Sequence, residues 1–240
     1  MAESINGDLS IRVTVDTARM QWAPSPGRSV WRKRVHLVGL PECGQVTSVV
    51  RYEPHSSFPT HDHPGGEEIF VLDGIFSDEQ GDWPAGTFLL NPEGFCHTPF
   101  SENGCVIFVK LRQFAGRERA HVVVATHALD WIQSPIPAVL EKRLYEQPGF
   151  SDHVVLERWS SNAELGMRSY PHGAEIFVLD GEFADEAGRY ASGCWLRLPA
   201  GSAHRPYTTR GCTLYVKRGG LRYLMSANEF AHDLADDRQR

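Results

Sequence analysis

The hydrophobic residues of the chain come in short β-rich runs: Val46 to Tyr52, Glu67 to Leu72, Thr87 to Leu90 and Val106 to Leu111. Between them stand Pro64-Gly65-Gly66, Pro84-Ala85-Gly86 and Asn91-Pro92-Glu93-Gly94. Runs of β-formers bounded by residues that fix or free φ read as strands joined by tight turns. Many short strands at this spacing predict an all-β barrel or sandwich. Only the C-terminus departs from the pattern. There Ser226-Ala227-Asn228-Glu229 has the form of a capping box, and Phe230 and Leu234 follow at helical spacing, which predicts one short helix.

The pattern occurs twice. Glu68-Ile69-Phe70-Val71-Leu72-Asp73-Gly74 recurs letter for letter as Glu175-Ile176-Phe177-Val178-Leu179-Asp180-Gly181. The match continues without gaps through Gly86/Gly193, Pro92/Pro199, Gly94/Gly201, His97/His204 and Val109-Lys110/Val216-Lys217. Upstream, Trp22, Val30 and Lys33-Arg34 match Trp131, Val139 and Lys142-Arg143 after a small shift in register. The repeat unit is a whole domain and too long for a solenoid unit. Two homologous domains are expected, at 11–115 and 120–222.

Composition narrows the class. A chain of 240 residues buries a substantial core without staples. Five cysteines, an odd number without CxxC spacing, suggest reduced thiols and not a disulfide framework or zinc ribbon. A net charge of −6 and a pI near 6.0 leave no electrostatic footprint for nucleic acid or anionic lipid. No apolar stretch reaches the roughly 20 residues of a membrane span, and Met1-Ala2-Glu3-Ser4 lacks the layout of a signal peptide, so a cytoplasmic protein is expected.

The candidate chemistry lies in the first repeat. His61, His63 and Glu67 share odd numbering, and a strand sends alternate side chains to one face. The Pro64-Gly65-Gly66 turn could reset that parity, so alternation supports the shared face without fixing it. Glu68 then faces the other way. His97, just past the Asn91–Gly94 turn, is the fourth candidate. Three imidazoles and a carboxylate suit one divalent transition ion per chain, Fe²⁺ or Zn²⁺ foremost, with Ni²⁺ and Mn²⁺ also accommodated. Mg²⁺ or Ca²⁺ would want more oxygens.

These residues resemble the cupin superfamily. Its first motif, G-x5-H-x-H-x3(4)-E-x6-G, is met by His61, His63, Glu67 and Gly74; its second, G-x5-P-x-G-x2-H-x3-N, by Gly86, Pro92, Gly94 and His97. His55 stands where the first glycine is expected and Ser101 where the final asparagine is. The wording HPGGEEIFVLDG, FSDEQGDWPAGTF and GCVIFVKLRQF is similar to the ChrR-like cupin family, named after the cupin half of a zinc-dependent anti-sigma factor. The resemblance covers both halves. It implies two tandem jelly-roll barrels that pair within the chain, an arrangement that leaves room for a homodimer. The helical His-x3-Cys-x2-Cys segment of those anti-sigma factors is not found in this sequence, so only the cupin part of the resemblance carries over.

The second repeat has lost the ligand set. Arg168, Tyr170 and Ala174 replace His61, His63 and Glu67, and only His204 is kept, opposite His97. His172 and Glu175 are conceivable substitutes of differing parity. A barrel kept for stability is the simpler reading. The sharper one is that Arg168, Tyr170 and His204 form a metal-free pocket for an organic anion, since arginine offers a fork of donors matched to a carboxylate. An uncompensated arginine inside a barrel would be costly, so Arg168 needs a partner or must point outward.

The remaining residues have plainer readings. Cys96, Cys105 and Cys212 are read as small buried hydrophobes. Arg51-Tyr52 and Arg158-Trp159 suggest salt-bridge or packing roles. His36, His55, His121, His127, His153 and His232 are read as surface or loop histidines, and Trp83, Phe88 and Phe108 as barrel filling. For function, the resemblance implies a cupin dioxygenase that cleaves a small diketone or aromatic ketone, with Glu67 as ligand or base. The alternative is a non-enzymatic sensor that binds zinc and a small ligand.

Overall fold

The computed structural model describes residues 3–40, 43–114 and 116–225. The helix expected over Ser226–Leu234 lies outside them. Among the described residues the regular structure is almost entirely β, and it forms two compact units of the same barrel plan. Among the described residues no helix is long and apolar enough to cross a membrane.

In the first unit the main sheet runs in the order Glu3–Ile5, Val30–Gly39, Gln45–Tyr52, Cys105–Leu111, Glu67–Asp78, Thr87–Asn91, Val122–Ala125. The central pairs are antiparallel, with Ile107 opposite Val50 and Val71, and Leu89 opposite Ile69. Alternation sends Val50, Ile69, Val71, Leu89, Ile107 and Val109 to one face, where they form a buried cluster with Tyr52 and Phe76. Glu67 begins its strand on that same parity, and Glu68 takes the other, beside Leu90 and Lys110. Phe70, Phe88 and Phe108 share one register line and the parity of Glu68. Phe88 and Phe108 are buried, as the sequence suggested, but on the face turned away from the cluster that lines the barrel.

The second unit repeats this plan: Ile132–Gln133, Val139–Glu146, His153–Trp159, Cys212–Arg218, Ala174–Asp185, Cys194–Leu198, Val13–Asp16. The last strand of each list comes from outside the repeat it completes. Val13–Asp16 pairs with Cys194–Leu198, and Val122–Ala125 pairs with Thr87–Asn91. Of the described residues, those within 3–8, 20–125 and 223–225 accordingly form the first unit, and those within 9–19 and 126–222 the second.

Two sequence readings need correction. His36 is fully buried on Val30–Gly39, with Nδ1 3.2 Å from the Asn6 carbonyl oxygen, because the middle of a paired strand has no solvent face here. Cys96 is exposed: its strand, Cys96–His97, is two residues long, and the parity that buries His97 turns Cys96 to water. Cys105 and Cys212 are buried as expected.

Candidate metal centre

Three short devices bring the first-repeat histidines together. His61–Asp62 pairs antiparallel with Cys96–His97, with His61 directly opposite His97. The His63 amide donates to the Phe95 carbonyl at 2.9 Å, and the His63 carbonyl accepts from Gly66 at 3.0 Å and Gly94 at 3.2 Å. The Pro64-Gly65-Gly66 turn then delivers Glu67 to the start of its strand. Gly65 and Gly66 have φ of +74° and +73°. A Cβ at Gly66 would lie 2.8 Å from the Phe114 Cβ and 3.0 Å from the Asn91 carbonyl oxygen, so both conformation and space demand glycine there.

The outcome is a cluster in which one nitrogen of each of His61, His63 and His97 lies within 4.8 Å of the others. His63 and His97 are buried, and the Nε2 atoms of both have no hydrogen-bond partner. Buried polar nitrogens left unpaired are uncommon and ask for an explanation. Glu67 Oε2 lies 3.4 Å from His63 Nε2 and 3.6 Å from His97 Nε2, and it accepts a 2.9 Å hydrogen bond from Asn91 Nδ2.

The outer nitrogens are engaged. His61 Nδ1 sits 2.8 Å from the Pro59 carbonyl, which can only accept, so Nδ1 carries the proton and Nε2 keeps its lone pair in the neutral ring. His97 Nδ1 lies 3.0 Å from Asp78 Oδ2. A carboxylate on the outer nitrogen is the usual way of orienting a metal-ligating imidazole and raising its basicity. Burial would raise the Asp78 carboxyl, but hydrogen bonds from His97 and the Gln80 amide hold it below the ordinary carboxylate value. Burial opposes charge on His97 too, yet Asp78 and Glu67 leave its imidazole above the ordinary value. His63 is pushed down, chiefly by burial, with His97, His61 and Arg112 adding to that and Glu67 opposing it. An orphaned Nε2 pair, an imidazole aimed by a carboxylate, and an N₃ set beside a carboxylate oxygen together fit a borderline divalent ion.

Two spaces adjoin the cluster. An interior cavity of about 60 Å³ is lined by Val50, Tyr52, Phe58, Phe76, Ile107 and Glu67 among others. A wider cleft of about 380 Å³ is bounded by His61, His63, Arg32, Arg112, Phe58 and Pro64 among others. Arg32, Phe58, His61 and Leu111 border both.

In the second unit Arg168, Tyr170 and His204 are all buried, and internal bonds engage them. Arg168 has the partner that its burial requires: Nη1 and Nη2 donate to the two oxygens of Glu157 at 2.8 and 3.0 Å. Arg218 and, at 2.8 Å, Trp159 Nε1 also donate to Glu157. The fork read as a grip for an organic anion therefore already holds a carboxylate of the chain. Tyr170 Oη lies 3.3 Å from His204 Nε2, on the nitrogen equivalent to the unpartnered one of His97. His204 Nδ1 lies 2.7 Å from Asp185 Oδ2, which also takes Arg12 at 2.5 Å. His172 is exposed in the turn, and Glu175 takes the parity opposite to Ala174. Among the described residues the first-unit histidines form the one group suited to a metal.

Several of these partners were missed in the sequence. Asp78 carried a readable signal, since Asp78-Glu79 is repeated as Asp185-Glu186 at the spacing that aligns His97 with His204. Asn91 and Glu157 have no repeated counterpart and carried none.

The family model for the ChrR cupin-like domain matches residues 10–115 and again 119–222. No curated protein is a significant match to the chain. Among solved structures, a Nostoc punctiforme protein proposed to be a dioxygenase superposes with a TM-score of 0.73 at 15% identity, covering 87% of this chain and 82% of its own. A Pseudomonas aeruginosa protein described as a candidate glyoxylate-induced protein gives 0.70 at 10%, covering 91% of each chain. A deletion variant of Bacillus subtilis oxalate decarboxylase gives 0.60 at 12%, covering 90% of this chain and 78% of its own. At such identities the likeness is one of fold.

Proposed function

The chain belongs to the ChrR cupin-like family in both halves, and on that premise we propose that its first unit is a mononuclear metal centre that oxygenates a small carbonyl compound. His61, His63 and His97 would hold the ion, with Glu67 as fourth donor. The observation that carries this reading is the pair of buried, partnerless Nε2 atoms converging on Glu67 where the barrel cavity meets the cleft. A bound Fe²⁺ would supply redox chemistry toward O₂ and Lewis-acid polarisation of a carbonyl. The protein groups do the rest. Asp78 and the Pro59 carbonyl fix two imidazole rings, Asn91 fixes Glu67, and Phe58, Phe76 and Ile107 keep water from the reacting atoms. Glu67 is also the group placed to take a proton from an enolisable diketone or aromatic ketone.

A dioxygenase proposal and an oxalate decarboxylase among the fold neighbours support redox or C–C chemistry in such a barrel without selecting the substrate. One observation favours a second reading, a zinc-holding sensor module. Donors each about 2.0–2.1 Å from Zn²⁺ in a tetrahedron lie about 3.4 Å apart. The two Glu67 separations, 3.4 and 3.6 Å, come close to that edge length.

The test is elemental analysis of protein purified without added metal or chelator, followed by oxygen-uptake screening against diketones and aromatic ketones. About one ion per chain is expected, lost in the double variant His61→Ala/His97→Ala and kept in His204→Ala. Metal-free wild-type protein from an anaerobic preparation would end the proposal. Tightly held zinc without oxygen uptake would select the sensor.

A further inference from the structure

The cleft beside the histidines has a cationic wall that the metal centre does not need. Arg112 and Arg32 both border it, and Arg32 borders the inner cavity as well, its guanidinium 5.8 Å from the Phe58 ring centre. One acidic residue, the exposed Asp62, also borders the cleft. Its position opposite Cys96 puts it on the parity that faces away from His61 and His63.

Two further observations concern Arg112. Its backbone φ is +59°, in the left-handed region that disfavours residues with a Cβ. The aligned position of the second repeat is Gly219, at φ +71°. The turn geometry therefore calls for glycine, and the first repeat holds an arginine in it at a cost in strain. Arg112 is one of five described non-glycine residues at positive φ, and among them it is the one that borders the cleft beside the histidines. The fold holds this residue tightly: the Arg112 amide donates to Gly66 at 2.9 Å, its carbonyl accepts from Gln45 Nε2 at 2.8 Å, and its Cα would lie 3.1 Å from a Cβ on Gly65. The backbone of the His63–Glu67 turn thus positions Arg112.

The second observation comes from comparing the two repeats. Where the repeat has lost His61, His63 and Glu67, Arg112 has become Gly219 and Arg32 has become Glu141. Neither arginine is therefore required by the fold that the two repeats share.

We propose that Arg112, with Arg32, binds a carboxylate on the substrate, so that the cleft takes an anionic oxo acid, a dicarbonyl or aryl ketone bearing a carboxylate, in preference to its neutral analogue. The guanidinium fork matches a carboxylate geometrically. The apolar flank of Phe58, Pro26 and Leu111 accommodates the carbon skeleton. Substrate would then lie between the arginines and the histidines, its carbonyl toward His61 and His63. The inference rests on the proposed metal site for the reaction, but its binding preference is measurable alone.

The experiment is anaerobic calorimetric titration of the purified full-length protein, its metal content measured on the same sample. The probes are acetylpyruvate, which carries a carboxylate on a 1,3-diketone, and acetylacetone, which does not. A charge-assisted contact of ordinary strength predicts that wild type prefers acetylpyruvate by about 10- to 100-fold. Arg112→Gly, which relaxes the turn to the form of the second repeat, should fold at least as well by melting temperature and reduce that preference by about tenfold or more. Arg32→Met should reduce it too. Equal wild-type affinities, or an unchanged ratio in Arg112→Gly, would overturn the proposal. A metal-free sample would count against the metal centre alone, because the affinity ratio still decides this one.

Discussion

Replacing Arg168 by Met should destabilise the second unit strongly, and lowering the pH should partly relieve the loss. Glu157 and Arg168 are both buried, joined by two parallel hydrogen bonds of 2.8 and 3.0 Å. Removing one partner of a buried pair costs about 3–5 kcal/mol, because the other charge stays buried. Arg218, whose side chain is 26% exposed, still reaches Glu157, as does Trp159 Nε1, which sets the expectation at the lower end, about 3 kcal/mol. For a chain of this size each kcal/mol moves the midpoint by about 2–4 °C, so Arg168→Met should melt about 6–12 °C lower.

The sign of the pH effect follows from Glu157. Burial alone would raise its carboxyl, but Arg168 first, then Arg218 and Trp159, hold it below the ordinary value. In wild type this group therefore stabilises the fold above the unfolded value of about 4.3 and loses that contribution as the pH falls toward the folded value. Without Arg168, burial pushes the carboxyl up, and the folded variant gains on its unfolded state as protons become available. The deficit should be widest near about pH 8 and narrow toward about pH 5. The double variant Glu157→Leu/Arg168→Met should recover all but about 1–2 kcal/mol, the residue being the lost Trp159 hydrogen bond and imperfect packing. Thermal melts of the three proteins at both pH values provide the test. A midpoint for Arg168→Met within about 2 °C of wild type would refute the argument, as would a deficit independent of pH.

Four more results are expected. Asp78→Asn should weaken metal binding about 10- to 100-fold in a competition titration with a chromogenic chelator, with the fold intact by circular dichroism. Gly66→Ala, which meets Phe114 and Asn91 at about +73° in φ, should cost about 3 kcal/mol in urea unfolding. Gly94→Ala, at +84° with no atom nearby, should cost about 1 kcal/mol from backbone strain alone. Mass spectrometry after brief alkylation of the native protein should find Cys43 and Cys96 modified and Cys105 and Cys212 untouched, since burial pushes those thiols up to about 11 and about 12.

Much of this was legible in the residues. The duplicated Glu-Ile-Phe-Val-Leu-Asp-Gly segment and the turn residues revealed two copies of one β fold because turn chemistry and strand propensity are local properties. His61, His63 and His97 were legible because their joint spacing matches the two cupin motifs, although the Pro64-Gly65-Gly66 turn left the parity of Glu67 open, and the structure brings the three histidines together. His55, the departure from the first motif, is explained by its backbone: φ is +60° there and +57° at the aligned Asn162, so both repeats keep the glycine-like conformation without glycine. What stayed hidden depends on long-range pairing. That Arg168 meets Glu157 requires knowing which strands lie side by side, and the burial of His36 requires knowing that Asn6 reaches it. The anion-pocket reading of Arg168 followed from its charge, and the internal carboxylate that meets that charge lies on another strand.

The strands Val13–Asp16 and Val122–Ala125 have a consequence for how the chain can be divided. Each completes a sheet built mainly from the other copy of the repeat, so neither half of the gene encodes a finished barrel. A polypeptide cut between the two repeats would leave each sheet short of its last strand. The second repeat is thus needed by the first sheet whatever ligands it carries. Losing it would strip a strand from the surviving sheet and bare the edge of Thr87–Asn91, an invitation to aggregation.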